Sequence, residues 1–283
     1  MNISFYTGAS GLIAQQEGMN IYSHNIANVN TVGYKSLRPS FADCLYERYR
    51  APEQEWQTGH GQYVMKTDFM FEQGAPVSTE QTLDFAIMND NFFMVLDERG
   101  RTYLTRDGAF SITRITDEGT DENGEQNYHW ELVNGRGEFV LDNEGNHIVV
   151  PFESEWSTVL KDGVDDEDYG AEGRDPINTE QRYTQTQKID FDALTDMIGL
   201  FHVDNNWGLD QNEDNHFAVT ARSGEPTAVE AGDRKILRTY LEMSTVDLAA
   251  EMVHLIETQR SYQLNARVVT TSDELMNIAN NLR

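Results

Sequence analysis

Cysteine is almost absent from this sequence of 283 residues, and Cys44 is its single thiol. One thiol cannot form an internal disulfide, and it cannot supply a cysteine-based zinc site. No stretch of about 18 apolar residues occurs, so no transmembrane helix is expected. The first residues show no basic start followed by an apolar segment, and the sequence therefore predicts no cleaved secretory signal.

Basic residues are also scarce. The chain carries 21 Lys and Arg against 48 Asp and Glu, which gives a formal net charge of −27. A surface this acidic repels nucleic-acid phosphates and anionic lipids. We therefore expect no nucleic-acid partner and no insertion into a membrane.

Sequence motifs of catalysis are missing too. The chain contains no GxSxG, HExxH, P-loop or GxGxxG motif. Its seven histidines are scattered, and none pairs with another zinc-type ligand at a spacing of four residues. The sequence thus predicts a protein that is not an enzyme and that has no cofactor and no metal site.

The negative charge is unevenly distributed. Residues 1–35 carry one acid, Glu17, and one base, Lys35, and residues 241–283 have a net charge of −3. The segment between them therefore carries a net charge of −24. This pattern fits a solvated domain between two amphipathic helices, and it also fits ends that are buried in an assembly while the middle faces outward.

The N-terminal segment predicts a helix with one apolar stripe, on which Leu12, Met19 and Ile26 lie at helical spacing. Three glycines interrupt this helix, and each costs roughly 1 kcal/mol relative to alanine. A helix so weakened needs packing against something else, and glycine permits a close approach of another backbone. We expect this helix to form when another element presses against it.

The C-terminal segment predicts a longer helix, from about Thr245 to Asn281 and roughly 55 Å in length. Its apolar stripe consists of Leu248, Met252, Leu255, Tyr262, Ala266, Val269 and Met276, widened by Ala249, Val253 and Ile256. Helices of this length with such a stripe are typical of coiled coils and assemblies. An ordinary long core helix is the alternative.

The end of the first helix is rich in asparagine and glycine. Asn28 and Asn30 can adopt turn conformations and hydrogen-bond to nearby backbone groups. Gly33 accepts φ values that other residues avoid. These residues predict the point at which the helix stops and the chain turns away, either as a local cap or as part of an assembly.

Short strands and turns predominate between the helices, so the fold class is α+β, with discontinuous terminal helices forming a coiled-coil domain and a central, mainly antiparallel β domain. The predicted organisation comprises a helical domain of residues 1–35 plus 241–283, an extended connecting segment at 36–75, and an outer β-rich domain at 76–240. Two acidic segments, 116–127 and 161–175, are predicted to be surface loops.

Both ends of the chain resemble the rod, hook and hook-associated family of bacterial flagellar axial proteins. The N-terminal resemblance includes NIANVNTVGYK at residues 25–35, and the C-terminal one is LEMSTVDLAAEMVHLIETQRSYQLNARVVTTSDELMNIANNL at residues 241–282. In the interior, YLTRDGAF at residues 103–110 is also similar to rod proteins, and SFADCLYERYR at residues 40–50 is similar to the distal rod protein.

The resemblance implies a structural subunit that polymerises helically into a torque-transmitting shaft of the basal body. Its implied partners are copies of itself, neighbouring rod and hook subunits, and the flagellar export apparatus, through which it would pass without a cleaved signal to the cell envelope. The stripe residues named above, with Asn28, Asn30 and Gly33, are then expected to pack between helices or subunits.

Other functions stay open at this point. One is a monomeric binding protein or enzyme of the cell envelope whose helices merely cap the β domain, and another is a hook subunit. The residues between the two motifs also leave open whether the subunit lies in the distal or the proximal part of the rod.

Overall fold

A computed structural model of the chain describes residues 3–44, 46–50, 55–120, 126–158, 183–212 and 215–282. The helices are α1 (Ile3–Ala27), α2 (Phe191–Met197) and α3 (Leu248–Asn281). The strands are β1 (Leu37–Asp43), β2 (Tyr46–Arg50), β3 (Glu55–Gly59), β4 (Gln62–Phe69), β5 (Pro76–Ser78), β6 (Phe85–Ile87), β7 (Phe93–Leu96), β8 (Thr102–Thr105), β9 (Phe110–Thr120), β10 (Gln126–Asn134), β11 (Phe139–Val140), β12 (Phe152–Thr158), β13 (Tyr183–Ile189), β14 (Phe201–His202), β15 (Asp210–Gln211), β16 (His216–Ala218), β17 (Thr227–Ala228), β18 (Ile236–Arg238) and β19 (Tyr240–Glu242).

The two terminal helices, α1 and α3, pack against each other in antiparallel orientation. The hydroxyl oxygens of Ser4 and Ser272 lie 3.0 Å apart near one end of the pair. Near the other end, the rings of Tyr22 and His254 stack with centroids 5.4 Å apart. This register brings the first and last segments of the chain together along the whole of α1.

The start of α3 lies slightly later than the sequence predicted. Asp247 is its N-cap, and the side chain of Asp247 accepts hydrogen bonds from the backbone N–H groups of Ala249 and Ala250 at 3.0 and 3.4 Å. Because a capping residue has non-helical backbone angles, the helix begins at Leu248 rather than near Thr245.

The β domain is built on one seven-stranded sheet in the order β15-β16-β8-β7-β11-β10-β9. Smaller two-stranded sheets, which pair β6 with β18 and β5 with β19, connect it to the segment that leads into α3. Every strand pair in the described part of the chain is antiparallel.

The core lies on both faces of this sheet. Phe93 and Val95 of β7 point into one cluster, with Leu132, Ile148 and Leu194. The alternate residues along the chain, among them Met94, point into a second cluster that includes Phe217 and Leu104. Successive side chains of a strand face opposite sides, so a strand covered on both faces is apolar throughout.

Residues 36–75 contain a hairpin that lies against α1. Strands β1 and β4 pair from Leu37 opposite Phe69, with a register shift between Ser40 and Phe41. The hairpin approaches α1 so closely at Gly61 that a Cβ there would lie 1.8 Å from the Ser10 hydroxyl. The described part of this segment thus forms a layer beside α1.

The predicted α+β class, with helices near both ends and antiparallel strands between them, is confirmed. Helix α2 was not predicted, although Asp190 caps it in the same way as Asp247 caps α3. The predicted loop at 116–127 is wrong in part, because residues 116–120 and 126–127 extend β9 and β10. The second acidic segment, 161–175, lies outside the described residues. None of the described helices is long and apolar enough to cross a membrane.

Candidate functional site

The contact between α1 and α3 is made mostly by small and polar residues. The buried residues of α1 are Gly8, Gly11, Ala14, Gly18 and Asn25, and those of α3 are Thr258 and Ser272. A Cβ on Gly8 would lie 2.9 Å from Val269 Cγ2, and one on Gly11 would lie 2.7 Å from Asn265 Nδ2. The glycines therefore permit a close approach of the two helices, and this approach offsets their low helix propensity.

The predicted stripe residues divide into two groups. Half-buried are Leu12, Met19, Ile26, Leu255, Tyr262, Ala266 and Val269. Exposed are Leu248, Met252 and Met276. Within one chain, the central part of the predicted stripe of α3 therefore faces α1. Met276 lies beyond the start of α1, and Leu248 and Met252 are exposed in the first turns of α3.

A second apolar stripe of α3 is exposed along the whole helix. We call this the outer stripe, and it consists of Val253, Ile256, Leu264, Val268, Leu275, Ile278 and Leu282. Exposed Phe5, Tyr6 and Ile13 add apolar surface on α1. The outer stripe lies on the side of α3 away from the predicted stripe, and the sequence prediction assigned two of its members, Val253 and Ile256, to the predicted stripe. Charged residues, among them Glu257 and Arg260, interrupt the outer stripe, and several large apolar side chains exposed on one face of a surface helix mark an interaction site.

Asn25 is the asparagine that fixes the end of α1, and sequence analysis missed it. Its side chain is fully buried, and Nδ2 donates to the Leu37 carbonyl at 2.7 Å. Its Oδ1 accepts from the Leu37 N–H at 2.9 Å and from the Tyr34 hydroxyl at 3.1 Å. One amide thus pairs with both backbone groups of a residue in β1, as a neighbouring strand would.

The predicted turn residues have different environments. Asn28 Nδ2 donates to the His24 carbonyl at 2.9 Å, so Asn28 acts locally at the helix end, and Asn30 is exposed. Gly33 has φ +67°, and a Cβ there would lie 2.7 Å from the Arg106 carbonyl carbon. Gly33 is therefore required by its backbone angle and by the close approach of the β domain.

A buried ionic cluster lies where the helix pair meets the β domain. Lys35 Nζ and Arg106 Nη1 lie 2.7 and 3.2 Å from the two carboxylate oxygens of Glu242. Glu242 Oε1 also accepts from the Gly74 N–H at 2.8 Å. All three charged side chains are nearly inaccessible to water. The cluster joins the segment after α1, the segment before α3 and the body of the sheet.

Burial dominates the electrostatics of this cluster. It lowers the pKa of Lys35, and the attraction of Glu242 opposes that shift. Burial likewise lowers the pKa of Arg106, again against the carboxylate of Glu242. Two buried cations share one carboxylate here, so removing that carboxylate would leave both without their counter-ion.

Three histidine–carboxylate pairs lie within the β domain. The Glu131 carboxylate lies 2.8 Å from His129 Nε2 and 3.1 Å from His147 Nδ1, and His216 Nε2 lies 3.0 Å from Glu138 Oε2. Among the described residues, no group of three or more His, Cys, Asp or Glu side chains could hold a metal ion. Half-buried Cys44 donates its backbone N–H to the Gly61 carbonyl. The exposed apolar surface of the helix pair is thus the main candidate site.

Comparisons with known proteins identify the relatives of this chain. Residues 5–35 match the family described as flagella basal body rod protein, and residues 237–282 match the flagellar basal body rod FlgEFG protein C-terminal family. The matched segments coincide with α1, with α3, and with the strands and loops that join them to the β domain.

Full-length relatives extend this similarity over the whole chain. The flagellar basal-body rod protein FlgG of Borreliella burgdorferi is 32% identical over 99% of this chain and 98% of its own length. FlgG of Caulobacter vibrioides is 31% identical over 98% of both chains. The flagellar hook-basal body complex protein FlhP of Bacillus subtilis is 26% identical over 99% of both. With this identity along its full length, the chain belongs to the family of bacterial flagellar basal-body rod proteins.

Proposed function

We propose that this chain is a structural subunit of the flagellar rod that polymerises helically and transmits torque along the shaft. Its place is the basal body in the cell envelope, where it contacts copies of itself and other axial proteins, including neighbouring rod and hook subunits. Its similarity to FlgG over the full length favours the distal part of the rod. The chain has no catalytic role in this proposal.

The outer stripe of α3 carries the proposal. Its seven apolar side chains are exposed in the single chain. Burying one such side chain against another subunit would contribute about 1.5–3 kcal/mol to the free energy of association. The contact between α1 and α3 uses glycines and small polar residues, so it leaves these larger side chains for other subunits. Many weak contacts of this kind, repeated along a lattice, resist twisting.

The proposed architecture assigns a different position to each part of the chain. Residues 1–35 and 241–283 form the inner layer as a coiled coil, residues 36–75 connect it outward, and residues 76–240 form the outer domain. Charge supports this arrangement, because nearly all of the net charge of −27 lies between the two terminal segments. Like charges are tolerated best where water surrounds them.

We further propose that the chain reaches this place through the flagellar export apparatus and without a cleaved signal. Helices that depend on intermolecular packing suit such a route, because they gain their full stability only after the subunit has joined the polymer. The single thiol agrees with this route, since no disulfide has to form on the way.

The experiment removes apolar surface from the outer stripe in the full-length chain. In the double variant Ile256→Ser/Leu264→Ser, both altered side chains are exposed in the single subunit. We expect an unchanged unfolding midpoint and at least a tenfold loss of sedimenting polymer at high protein concentration. The matched control is Gln259→Ser/Gln263→Ser, which changes exposed polar residues of the same helix and should assemble normally.

Two results would contradict the proposal. If the unaltered chain stays monomeric at all concentrations, the alternative of a monomeric envelope protein gains support. If the Ile256→Ser/Leu264→Ser variant unfolds more easily but assembles as well as the control, the outer stripe stabilises the single chain instead of joining subunits.

A further inference from the structure

The two ends of the helix pair differ in shape. At one end Ser4 contacts Ser272, so α3 continues for about nine residues beyond the start of α1, or roughly 14 Å at 1.5 Å per residue. We call residues 273–281 the overhang. Its large apolar side chains, Leu275, Met276 and Ile278, are between 47% and 65% exposed. The overhang is thus a helical projection that α1 of the same chain does not cover.

The other end of the pair carries a cleft between the end of α1 and the β domain. We call it the end cleft, and its volume is about 440 Å³. His24 and Asn28 line it from the helix side, and Asp107, Arg136 and Gln211 line it from the β domain. The overhang and the end cleft are separated by the length of α1, roughly 36 Å.

The walls of the end cleft are held in place by hydrogen bonds. Asn215, which has φ 60° and is buried, donates from Nδ2 to the Val32 carbonyl at 2.8 Å. The Gly33 N–H donates to the Glu242 carbonyl at 2.8 Å, and the Ala109 N–H donates to the Asp107 carboxylate at 3.0 Å. The loop after α1 is therefore fixed to the β domain, and the end cleft is preformed.

The size of the end cleft suits the tip of a helix. A helical turn 10–12 Å across and 5.4 Å high occupies about 500 Å³, so the end cleft, with its volume of about 440 Å³, can receive part of such a turn. The end of the overhang carries three polar side chains beside apolar Ile278, namely those of Asn277, Asn280 and Asn281. Side-chain amides can pair with the amides of Asn28 and Gln211 in the wall.

Charge also favours this occupant. The last carbonyl groups of a helix have no partner within the helix, and they give its C-terminus a partial negative charge. The end cleft presents the guanidinium of Arg136 and the ring of His24, together with one carboxyl group, that of Asp107. His216 also lines it and pairs with Glu138 at 3.0 Å. In a chain of net charge −27, a wall with these groups is well placed to receive a helix C-terminus.

We infer that the overhang of one copy inserts its last turn into the end cleft of a second copy. The inference rests on the proposed function and adds to it the direction of one contact between subunits. Because each copy carries both features at opposite ends, the contact is head to tail, and such a contact repeats into an open filament instead of closing into a dimer.

Disulfide cross-linking in the full-length chain tests this contact. In a Cys44→Ser background, Asn280→Cys marks the overhang and Gly135→Cys marks the rim of the end cleft, where a Cβ meets no atom within 4 Å. Within one chain these positions are too far apart for a disulfide, whose Cα atoms lie within about 7 Å. The control replaces Gly135→Cys with Gly232→Cys, an equally open exposed position that does not line the end cleft.

We expect a ladder of cross-linked dimers, trimers and longer species under assembly conditions, at least tenfold more abundant for the Asn280→Cys/Gly135→Cys pair than for the control. Polymer without this ladder would overturn the inference and leave the proposed function intact. Absence of any polymer from the parent Cys44→Ser chain, with an unchanged unfolding midpoint, would overturn both. A second variant, Arg136→Glu, should raise the concentration needed for assembly about tenfold, and an unchanged concentration would count against the end cleft.

Discussion

Lys35 Nζ lies 2.7 Å from Glu242 Oε1, and both side chains are almost completely buried. Lys35 follows the turn after α1, and Glu242 ends the strand that leads into α3. The ion pair therefore joins the segment that follows α1 to the segment that precedes α3, and Arg106 connects the same carboxylate to the seven-stranded sheet. Through this joint, a force on the helix pair reaches the β domain directly.

Replacing Glu242 with glutamine should destabilise the whole subunit. The change keeps the shape of the side chain and removes the charge that faces Lys35 and Arg106. Breaking a buried ion pair costs about 3–5 kcal/mol, since an uncompensated charge is left in the interior. Denaturant unfolding of the full-length chain measures this loss.

The control for this variant is the solvent-accessible pair of exposed Lys66 and half-buried Asp68, whose charged atoms also lie 2.7 Å apart. Asp68→Asn should cost less than about 1 kcal/mol, because water screens both groups. If Glu242→Gln and Asp68→Asn lower the free energy of unfolding equally, the burial of Glu242 does not make its ion pairs more important for stability.

Replacing Asn25 with alanine should loosen the end of α1 from β1. The change leaves the N–H and C=O of Leu37 and the Tyr34 hydroxyl without their buried partner. Each unsatisfied buried group costs about 1–3 kcal/mol, so a total loss of about 2–4 kcal/mol is expected after partial relaxation. Thermal and denaturant unfolding measure it.

Asn30→Ala is the matched control, because Asn30 lies in the same motif and is exposed. Its unfolding free energy should change by less than about 0.5 kcal/mol. The sequence also predicts that Asn30 packs between subunits. If it does, Asn30→Ala will fold normally but assemble poorly.

The sequence predicts the positions of both terminal helices, because glycine-interrupted and apolar helical spacings extend over 25 and 34 residues. It does not predict which asparagine of the NIANVN motif is buried. Asn25, Asn28 and Asn30 have the same side chain, and only the path of β1 beside α1 determines that Asn25 meets Leu37. A local pattern cannot contain that information.

The ionic cluster could not be predicted for a related reason. Lys35, Arg106 and Glu242 lie far apart in the chain, and only the fold of the β domain brings them together. The outer stripe is different, since its spacing is present in the sequence. The pattern could not say which of the two apolar faces of α3 contacts α1, because small residues of α1 make that contact.

The stability of the subunit should depend on pH through Asp107. Burial raises the pKa of this carboxyl, while the Ala109 N–H and His216 oppose the shift and Asp84 adds to it. The folded chain therefore binds the proton more tightly than the unfolded chain. The associated stability is complete below the unfolded pKa and is lost as the pH rises through the folded pKa.

Asp107→Asn removes this loss, because the amide stays neutral and its Oδ1 still accepts from the Ala109 N–H. Relative to the unaltered chain, the variant should become more stable as the pH is raised from 4 to 7. Asp97 serves as the opposite case, since its hydrogen bond with Arg101 lowers its pKa. Its contribution is complete above the unfolded pKa and is lost as the pH falls through the folded pKa, so the difference between Asp97→Asn and the unaltered chain should change below about pH 4 and stay nearly constant from pH 4 to 7. A pH-independent difference for Asp107→Asn, measured by denaturant unfolding, would contradict the assignment.

Replacing Gly11 with leucine should separate α1 from α3. Even a Cβ at this position would lie 2.7 Å from Asn265 Nδ2 and 3.1 Å from Asn265 Cγ, so a leucine side chain has to displace the Asn265 side chain and separate the helices. Overpacking costs about 1–3 kcal/mol, which exceeds the gain of roughly 1 kcal/mol from better helix propensity. Ser23→Leu adds the same side chain at an exposed position of α1 and should leave the unfolding free energy nearly unchanged. Circular dichroism during unfolding distinguishes the two, and equal stability would show that the helix contact is not tight.

Hydrogen exchange should show that the overhang of α3 is the least protected helical part of the dilute subunit. No residue of α1 faces positions 273–281, and a helix end without tertiary contacts frays, so its amides should exchange nearly as fast as those of an unfolded chain. In the polymer the same amides should become at least 100-fold slower, because a second copy covers them. Strand β7 supplies the internal control, since Phe93 and Val95 are fully buried in the single chain and its amides should be protected in both states. Strong protection of the overhang in the dilute subunit would mean that the chain stabilises this segment by itself, and the overhang would then not require a second subunit for its order.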